Sequence, residues 1–295
     1  MDIVHHALIG GVGFVALAAQ QQELAGLGFL AGSVFPDLDV AFMALGKRSY
    51  LKRHQGPTHA LPLAALYAAV LAGVPALDLG WDWSLYAAVL AGICVHVLLD
   101  LCNTFGIQIL WPLTPRRFCL DAVFFIDTPA WALTLGFFAL TLTATVPPGP
   151  AAMGYAALFL AYLAAKAVMQ RRTRRRLGAD FAIPTAFNPF AFLVFSRRAG
   201  KLETAAYDAL SGRLSARADL PEATPEIKDL AAQSVVFRDL QGILRGLQIT
   251  RAERDPEGTT IIAQDLAVRN FGGRFGRTEL RFDRDGRLVH DMAHI

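Results

Sequence analysis

Long apolar stretches separated by short polar turns dominate the first 170 residues of the chain. Each approaches the roughly 20 residues that a helix needs to cross a bilayer, although the first is short. A Pro-Pro-Gly-Pro turn at 147–150 separates the last two stretches, and Pro36 interrupts the second. The pattern predicts a mainly α-helical, polytopic transmembrane bundle of about six helices. The stretches cover approximately residues 7–20, 24–45, 60–77, 84–102, 122–146 and 151–169.

Residues 177–295 have the mixed polarity of a soluble domain. Their apolar run at 190–195 is much too short to span a membrane. Amphipathic and alternating patterns predict helices and strands here, and an Asp-Arg-Asp-Gly sequence at 283–286 is a hairpin signal. We therefore expect a transmembrane domain over 1–176 and a small α+β domain over 177–295. The predicted helices cover 203–218 and 226–241, and the predicted strands cover 259–268, 278–282 and 288–290.

Composition and charge placement support a membrane location. Of the residues, 54% are hydrophobic and only 18% are charged, against about 25% charged residues in average soluble chains. The loops at 47–53, 116–117 and 171–176 contain Lys and Arg, and the intervening turns contain neither. Under the positive-inside rule, this alternation places both the N-terminus and the C-terminal domain in the cytoplasm.

Neither the cysteines nor the arginine cluster after the last apolar stretch predicts an additional binding activity for a protein ligand or nucleic acid. Cys94, Cys102 and Cys119 have neither zinc-ribbon nor disulfide spacing, and we expect them to be small apolar residues. The five arginines at 171–176 could form a nucleic-acid patch. An arginine cluster directly after a transmembrane helix more often meets anionic lipid head groups. We therefore expect contact with membrane lipid and no direct binding of nucleic acid.

Ionisable side chains inside the apolar segments carry the main functional signal, because each aspartate near the centre of a membrane helix costs at least about 2.5 kcal/mol. At a rise of about 1.5 Å per residue, His6, Asp37, His96 and Asp100 lie about 18–25 Å from the non-cytoplasmic ends of their helices. His59 opens the third segment at the same side of the bilayer. Separate helices are therefore predicted to bring imidazoles and carboxylates to one level.

Local spacing agrees with a shared site. His96 and Asp100 lie four residues apart on a helix face that Asn103 shares. Asp37 and Asp39 follow a proline, so we expect an unwound, extended backbone there that turns both carboxylates the same way. Taken singly, each residue also has a simpler interpretation, with His96 as a hydrogen-bonded core histidine and Asp100 as a helix cap.

Imidazole and carboxylate ligands without thiolates suit zinc, manganese or iron rather than a structural cysteine–zinc site, and zinc is our first choice. The candidates exceed the four ligands of one tetrahedral ion, which favours two ions. Paired ions activate a water and clamp the attacking and leaving oxygens in phosphoester hydrolysis. The predicted metal ligands are His6, Asp37, Asp39, His54, His59, His96 and Asp100, and the three aspartates are also the predicted catalytic residues.

The order and spacing of these motifs resemble the membrane-bound metal-dependent hydrolase family, also described as LexA-binding, inner-membrane-associated hydrolases. The resemblance covers about residues 1–130, and 184–190 looks like the start of the family's C-terminal domain. His5, Gln55 and Ala60 depart from the family's Thr, Arg and Ser, and none of these changes removes a proposed ligand. The family looks distantly similar to zinc phospholipase C and P1-type nucleases. The matching stretches are HHALIG at 5–10, PDLD at 36–39, HQGPTHA at 54–60, HVLLDLCNTFG at 96–106, PLTPRRF at 112–118 and FID at 125–127.

The resemblance implies a metal-dependent hydrolase of the bacterial inner membrane, and a site at head-group depth favours a lipid or lipid-linked phosphoester. Arg53, Arg116 and Arg117 are predicted to meet the phosphate, since a guanidinium binds it in a bidentate manner. Asn103 and Asp127 are predicted to orient the metal ligands by hydrogen bonds without binding the metal themselves. Two other classes stay open: a transporter or ion pathway, and a non-catalytic membrane anchor with a structural metal.

Overall fold

The computed structural model describes residues 1–198, 201–220, 222–271, 274 and 276–294. The chain divides into two compact units. The first comprises Met1–Val168 together with Phe187–Pro189, and the second comprises Met169–Ala186 together with Phe190–Ile295.

The first unit is helical. Glu23–Leu45, Leu61–Leu79, Trp83–Cys102 and Pro148–Leu177 are long and apolar enough to cross a membrane, and two further apolar helices are shorter. This confirms the predicted helical bundle. Its helices are α1 (Ile3–Ala18), α2 (Glu23–Val34), a 3-10 helix (Phe35–Leu45), α3 (Lys47–Arg53), a 3-10 turn (Pro57–His59), α4 (Leu61–Leu79), α5 (Trp83–Cys102), α6 (Thr128–Leu142) and α7 (Pro148–Leu177), which continues past the unit boundary.

Aspartates fix where several of these apolar helices begin. Asp2 accepts the backbone N–H of His5 at the start of α1, at 3.1 Å. Asp82 caps α5 and Asp127 caps α6 in the same way. A side-chain acceptor at this position satisfies a donor that has no partner inside the helix. The caps therefore set the register in which α1 and α5 present their histidines.

Small residues let the helices approach closely. A Cβ built on Gly32 of α2 would lie 2.2 Å from the carbonyl oxygen of Val89, and one on Gly92 of α5 would lie 2.3 Å from that of Phe29. The backbones of α2 and α5 are therefore in direct contact, as is common where glycines line membrane-helix interfaces. This contact holds the 3-10 helix that follows α2 beside the C-terminal half of α5.

The second unit contains two antiparallel sheets and two short helices, which confirms the predicted α+β character. The sheets have the strand orders β1-β2-β3-β4 and β5-β6-β7-β8. The elements are β1 (Phe181–Pro184), β2 (Ala191–Arg198), β3 (Lys201–Asp208), β4 (Ala218–Leu220), α8 (Pro225–Ala231), α9 (Val235–Ile243), β5 (Leu247–Asp255), β6 (Gly258–Asp265), β7 (Arg277–Asp283) and β8 (Leu288–His294).

Several local predictions for this unit need correction. The helix predicted over 203–218 is wrong, because β3 pairs with β2 along its whole length and this pairing overrides the helix propensity of its alanines. The helix predicted over 226–241 is two helices, because Ser234 caps the start of α9. The hairpin predicted at 283–286 is confirmed between β7 and β8, with Gly286 at a φ of 74°.

Candidate metal centre

Four buried side chains from three elements converge on one point of the first unit. They are Asp37 of the 3-10 helix, His59 of the 3-10 turn, and His96 and Asp100 of α5, hereafter the quartet. One ligand atom from each lies within 4.8 Å of all the others. The Nε2 atoms of His59 and His96 are 3.2 Å apart. The sequence predicted all four as ligands, and the described residues bring them together.

The separations fit a metal ion. Asp100 Oδ2 lies 3.2 Å from Nε2 of His59 and 3.6 Å from Nε2 of His96. Asp37 Oδ1 lies 3.7 Å and 3.6 Å from the same two atoms. A tetrahedral ion with bonds of about 2.0–2.1 Å requires ligand–ligand edges of about 3.3–3.4 Å. The side chains are therefore already close to coordinating distances from a common centre.

The tautomer of His96 is set from outside the quartet. Its Nδ1 lies 2.7 Å from the backbone carbonyl oxygen of Ser33. A carbonyl only accepts, so Nδ1 carries the hydrogen and Nε2 of the neutral ring presents a lone pair to the quartet. Such orientation by an outer partner is typical of metal-binding histidines.

A short relay orients His59 in the same way. Asp39 Oδ2 accepts the hydroxyl proton of Thr58 at 3.2 Å. Because that proton is then used, the Thr58 oxygen accepts from Nδ1 of His59, 3.1 Å away. The Nε2 atom of His59 is thus left with a lone pair that faces the two quartet carboxylates.

The quartet consequently presents two imidazole lone pairs and two carboxylates to one small volume. The Oδ2 atoms of Asp37 and Asp100 are buried without a hydrogen-bond donor among the described residues. Buried acceptors without a donor are costly, and a cation relieves that cost. Burial lowers the pKa of His59, but the adjacent Asp100 and Asp37 carboxylates stabilise the protonated ring more strongly and raise the pKa to about 9. A proton and a metal ion therefore compete for Nε2 of His59.

The backbone around Asp37 and Asp39 differs from the extended form that we predicted. The chain is a 3-10 helix from Phe35 to Leu45. With about three residues per turn, side chains two positions apart point in different directions. Asp37 accordingly faces the quartet, whereas Asp39 faces the loop at 54–58. The prediction that both carboxylates turn the same way is wrong for this reason.

Asp39 organises the 54–59 loop. Its Oδ2 accepts the backbone N–H of Gln55 at 2.9 Å, and its Oδ1 lies 2.8 Å from Nδ1 of His54. The His54 ring stacks on Tyr50 and is about one-third exposed, at 32%. Asp39 and His54 thus form a pair beside the quartet.

Two other predicted residues hold Asp100 in place. His6 Nε2 lies 3.0 Å from Asp100 Oδ1, and the His6 ring stacks on His96 with centroids 3.7 Å apart. Asn103 donates from Nδ2 to the same oxygen at 3.3 Å, and the amino group of Met1 also contacts it. With Oδ1 occupied by these partners, Asp100 turns Oδ2 toward the quartet.

The predicted phosphate-binding arginines occupy different surroundings. Arg117 is closest to the loop and donates to the backbone carbonyls of His54 and Gly106, at 2.8 and 3.0 Å. Arg53 contacts Ser49 and lies over the Phe42 ring, and Arg116 lies over the Phe118 ring. Asp127 caps α6 and accepts the hydroxyl of Tyr162 at 2.6 Å. Their predicted roles stay predictions.

Sequence reasoning missed two residues that orient the histidines. Thr58 lies inside the predicted loop, so its position beside His59 could have indicated a relay. Ser33 acts through its backbone carbonyl, which every residue type offers. Only the close packing of α2 against α5 reveals its role.

Comparison with known proteins identifies the family of the chain. The model of the YdjM inner membrane protein family matches residues 1–173. The chain belongs to this family. The match includes the whole quartet and every membrane-crossing candidate except the end of α7.

The chain is also similar to the uncharacterized protein YfhP of Bacillus subtilis (strain 168), with 26% identity over 155 residues. That match covers 50% of this chain and 46% of YfhP, so the chain spans about half the length of the curated relative that it matches. No solved structure matches the chain.

Proposed function

We propose that this member of the YdjM family is a metal-dependent hydrolase of the inner membrane, with its metal held by the quartet. The observation that carries the proposal is the convergence of four buried acceptor atoms on one point, at separations close to those around a tetrahedral ion. A divalent cation bound there would polarise a phosphoryl oxygen and supply hydroxide at neutral pH.

The surrounding residues are well placed to keep the ligands rigid. Ser33 fixes His96, Thr58 and Asp39 fix His59, and His6 with Asn103 fixes Asp100. Preorganised ligands bind a metal without first paying the conformational entropy of ordering. These contacts support an ion-binding role for the quartet more than a simple buried polar cluster.

Arg117 is our preferred contact for the substrate phosphate. Burial lowers its pKa to about 10, with Asp39 opposing this, so the side chain stays cationic at neutral pH. Its bonds to His54 and Gly106 use two N–H donors, and a guanidinium has about five. Arg53 and Arg116 lie nearer to aromatic rings and are weaker candidates.

We propose zinc as the ion and a lipid or lipid-linked phosphoester as the substrate, with manganese and iron as alternatives. The quartet supplies four ligands for one ion, and the attacking water would add a fifth, since catalytic zinc can expand to five-coordinate. A second ion would draw on His6, Asp39 and His54, each of which contacts a member of the quartet or its loop.

We also propose that the chain crosses the membrane several times with both termini in the cytoplasm. The alternation of basic loops supports this topology. It places the quartet near the cytoplasmic leaflet, where lipid head groups are accessible.

The proposal is tested by loading the purified full-length protein with zinc, manganese or iron and assaying phosphoester cleavage. We expect Asp100→Asn to lower activity by more than about 100-fold, because loss of even an outer-shell partner costs 10–100-fold. His5→Gln is the matched control, since His5 is equally buried on α1 but bonds Thr134. If the protein binds metal but cleaves neither lipid nor soluble phosphoesters, it is a structural anchor and the hydrolase proposal is wrong.

A further inference from the structure

The quartet is least enclosed at Asp37. His59, His96 and Asp100 are completely buried, whereas the Asp37 side chain is 9% exposed. Its neighbour Leu38 is 53% exposed. The His54 ring, on the other side of Asp39, is 32% exposed. The quartet therefore comes nearest to the surface between the 3-10 helix Phe35–Leu45 and the segment formed by α3 and His54.

The surface on the 3-10 helix side of this opening is apolar. Leu38, Val40, Met43 and Leu45 are exposed to between 43% and 69%. They belong to Glu23–Leu45, one of the segments long and apolar enough to cross a membrane. Exposed apolar side chains of a membrane-crossing segment face acyl chains rather than water. A molecule that reaches Asp37 past Leu38 therefore comes from the bilayer.

The other side of the opening is cationic. α3 packs against the 3-10 helix and carries Arg48, Lys52 and Arg53 on exposed positions. The Arg53 guanidinium lies 5.1 Å above the ring of Phe42, which joins the two sides. Basic residues just outside a membrane segment attract anionic lipid head groups, each contributing about 1 kcal/mol. The apolar and cationic sides together match the two chemical parts of a phospholipid.

We propose that the quartet is entered laterally from the bilayer, between the 3-10 helix Phe35–Leu45 and α3, and that its ligand is an anionic membrane phospholipid. The acyl chains lie along Leu38, Val40 and Met43, and the anionic head group passes Arg53 to reach His54, whose backbone carbonyl accepts from Arg117. The inference rests on the proposed function for the chemistry at the quartet, but the entry route itself is a matter of binding and is testable without turnover.

The test uses full-length protein in lipid nanodiscs that contain a phosphatidic acid probe with a diazirine near its glycerol. After irradiation, cross-linked peptides are located by mass spectrometry. We expect cross-links within 38–54 that excess unlabelled phosphatidic acid suppresses. We expect Leu38→Asn/Val40→Asn to reduce them at least about fivefold, because a polar edge disfavours acyl chains. Leu77→Asn is the control, since Leu77 is 85% exposed on α4.

A second variant covers the case in which the double substitution does not fold. Arg53→Gln keeps the apolar side intact, and we expect it to reduce labelling by phosphatidic acid more than labelling by a matching phosphatidylcholine probe. Even labelling of all lipid-facing helices, or labelling unchanged by both variants, would overturn the lateral route. Cleavage of a soluble aryl phosphodiester, with no cross-link at 38–54, would show instead that the site opens to water.

The two proposals fail in different ways. Specific, competed cross-links at 38–54 in a protein that binds no metal and cleaves no phosphoester would support the lateral route while removing the hydrolase assignment. Metal-dependent cleavage of soluble esters, without cross-links at 38–54, would support the hydrolase assignment and remove the lateral route.

Discussion

Replacing Gly92 by alanine tests whether the contact between α2 and α5 sets the geometry of the quartet. A Cβ at this position would lie 2.3 Å from the carbonyl oxygen of Phe29 and 2.8 Å from the backbone nitrogen of Ser33. A carbon–oxygen contact normally needs about 3.3 Å. The two helices must therefore separate by about 1 Å at this level.

The separation acts directly on a ligand. The bond from His96 Nδ1 to the Ser33 carbonyl is 2.7 Å long, and lengthening it by about 1 Å takes it beyond hydrogen-bonding distance. Loss of such an outer partner typically weakens metal binding by about 10–100-fold. Overpacking of the interface should also lower the free energy of unfolding by about 1–3 kcal/mol.

The assay is a competitive zinc titration of the detergent-purified protein against a chromogenic chelator. Gly136→Ala is the matched control, because a Cβ on Gly136 of α6 would meet nothing within 4 Å. We expect the control to keep wild-type affinity and to gain up to about 1 kcal/mol of stability from its higher helix propensity. A folded Gly92→Ala protein with affinity within about twofold of wild type would refute the link from helix packing to the quartet.

Three further predictions follow from charge and hydrogen bonding. The pKa of His59 is raised to about 9, so zinc must displace a proton from this ring at neutral pH. The apparent affinity for zinc should therefore fall about tenfold for each pH unit below that value, and calorimetry should show proton release on binding. A zinc affinity that is independent of pH between about 6 and 8 would contradict this prediction. Asp39→Ala should weaken zinc binding about 10–100-fold while keeping the stoichiometry, whereas lost stoichiometry would make Asp39 a ligand. Burial raises the pKa of Asp265 to about 6, although the hydrogen bond from the Ala267 N–H and the positive charge of Arg245 both act to lower it. The pKa of an aspartate in the unfolded chain is about 3.9, so the folded state holds the proton more tightly. The free energy of unfolding should therefore be highest below about pH 4 and should fall by about 3 kcal/mol as the pH rises through 6. Hydrogen exchange of β6 measures this loss, and Asp265→Asn should abolish it.

The sequence predicted the parts of the site that depend on spacing along one helix. His96 and Asp100 lie four residues apart, and α-helical geometry alone places them on one face. The helical rise per residue also predicted that Asp37 and His59 lie at the same depth in the membrane as His96 and Asp100. The convergence of these four residues could be predicted because a membrane imposes helical structure on apolar segments, which leaves few conformations to choose from.

The features that sequence could not supply arise from tertiary contacts. Nothing in Pro36-Asp37-Leu38-Asp39 distinguishes a 3-10 helix from extended backbone, yet this choice decides that Asp39 lies beside His54 and Nδ1 of His59, whereas Asp37 lies beside Nε2 of His59. Ser33 contributes a backbone atom and has no side-chain signature. In the second unit, pairing of β3 with β2 overrides local helix propensity.

Metal stoichiometry of the purified full-length protein tests the central claim most directly. Plasma mass spectrometry should find about one divalent ion per chain in the wild type, and X-ray absorption should show nitrogen and oxygen neighbours without sulfur. His96→Ala and Asp100→Ala should lose the ion, whereas His5→Gln should retain it. Wild-type protein without bound metal after zinc loading, or quartet variants with undiminished metal, would contradict the assignment of Asp37, His59, His96 and Asp100 as a metal centre.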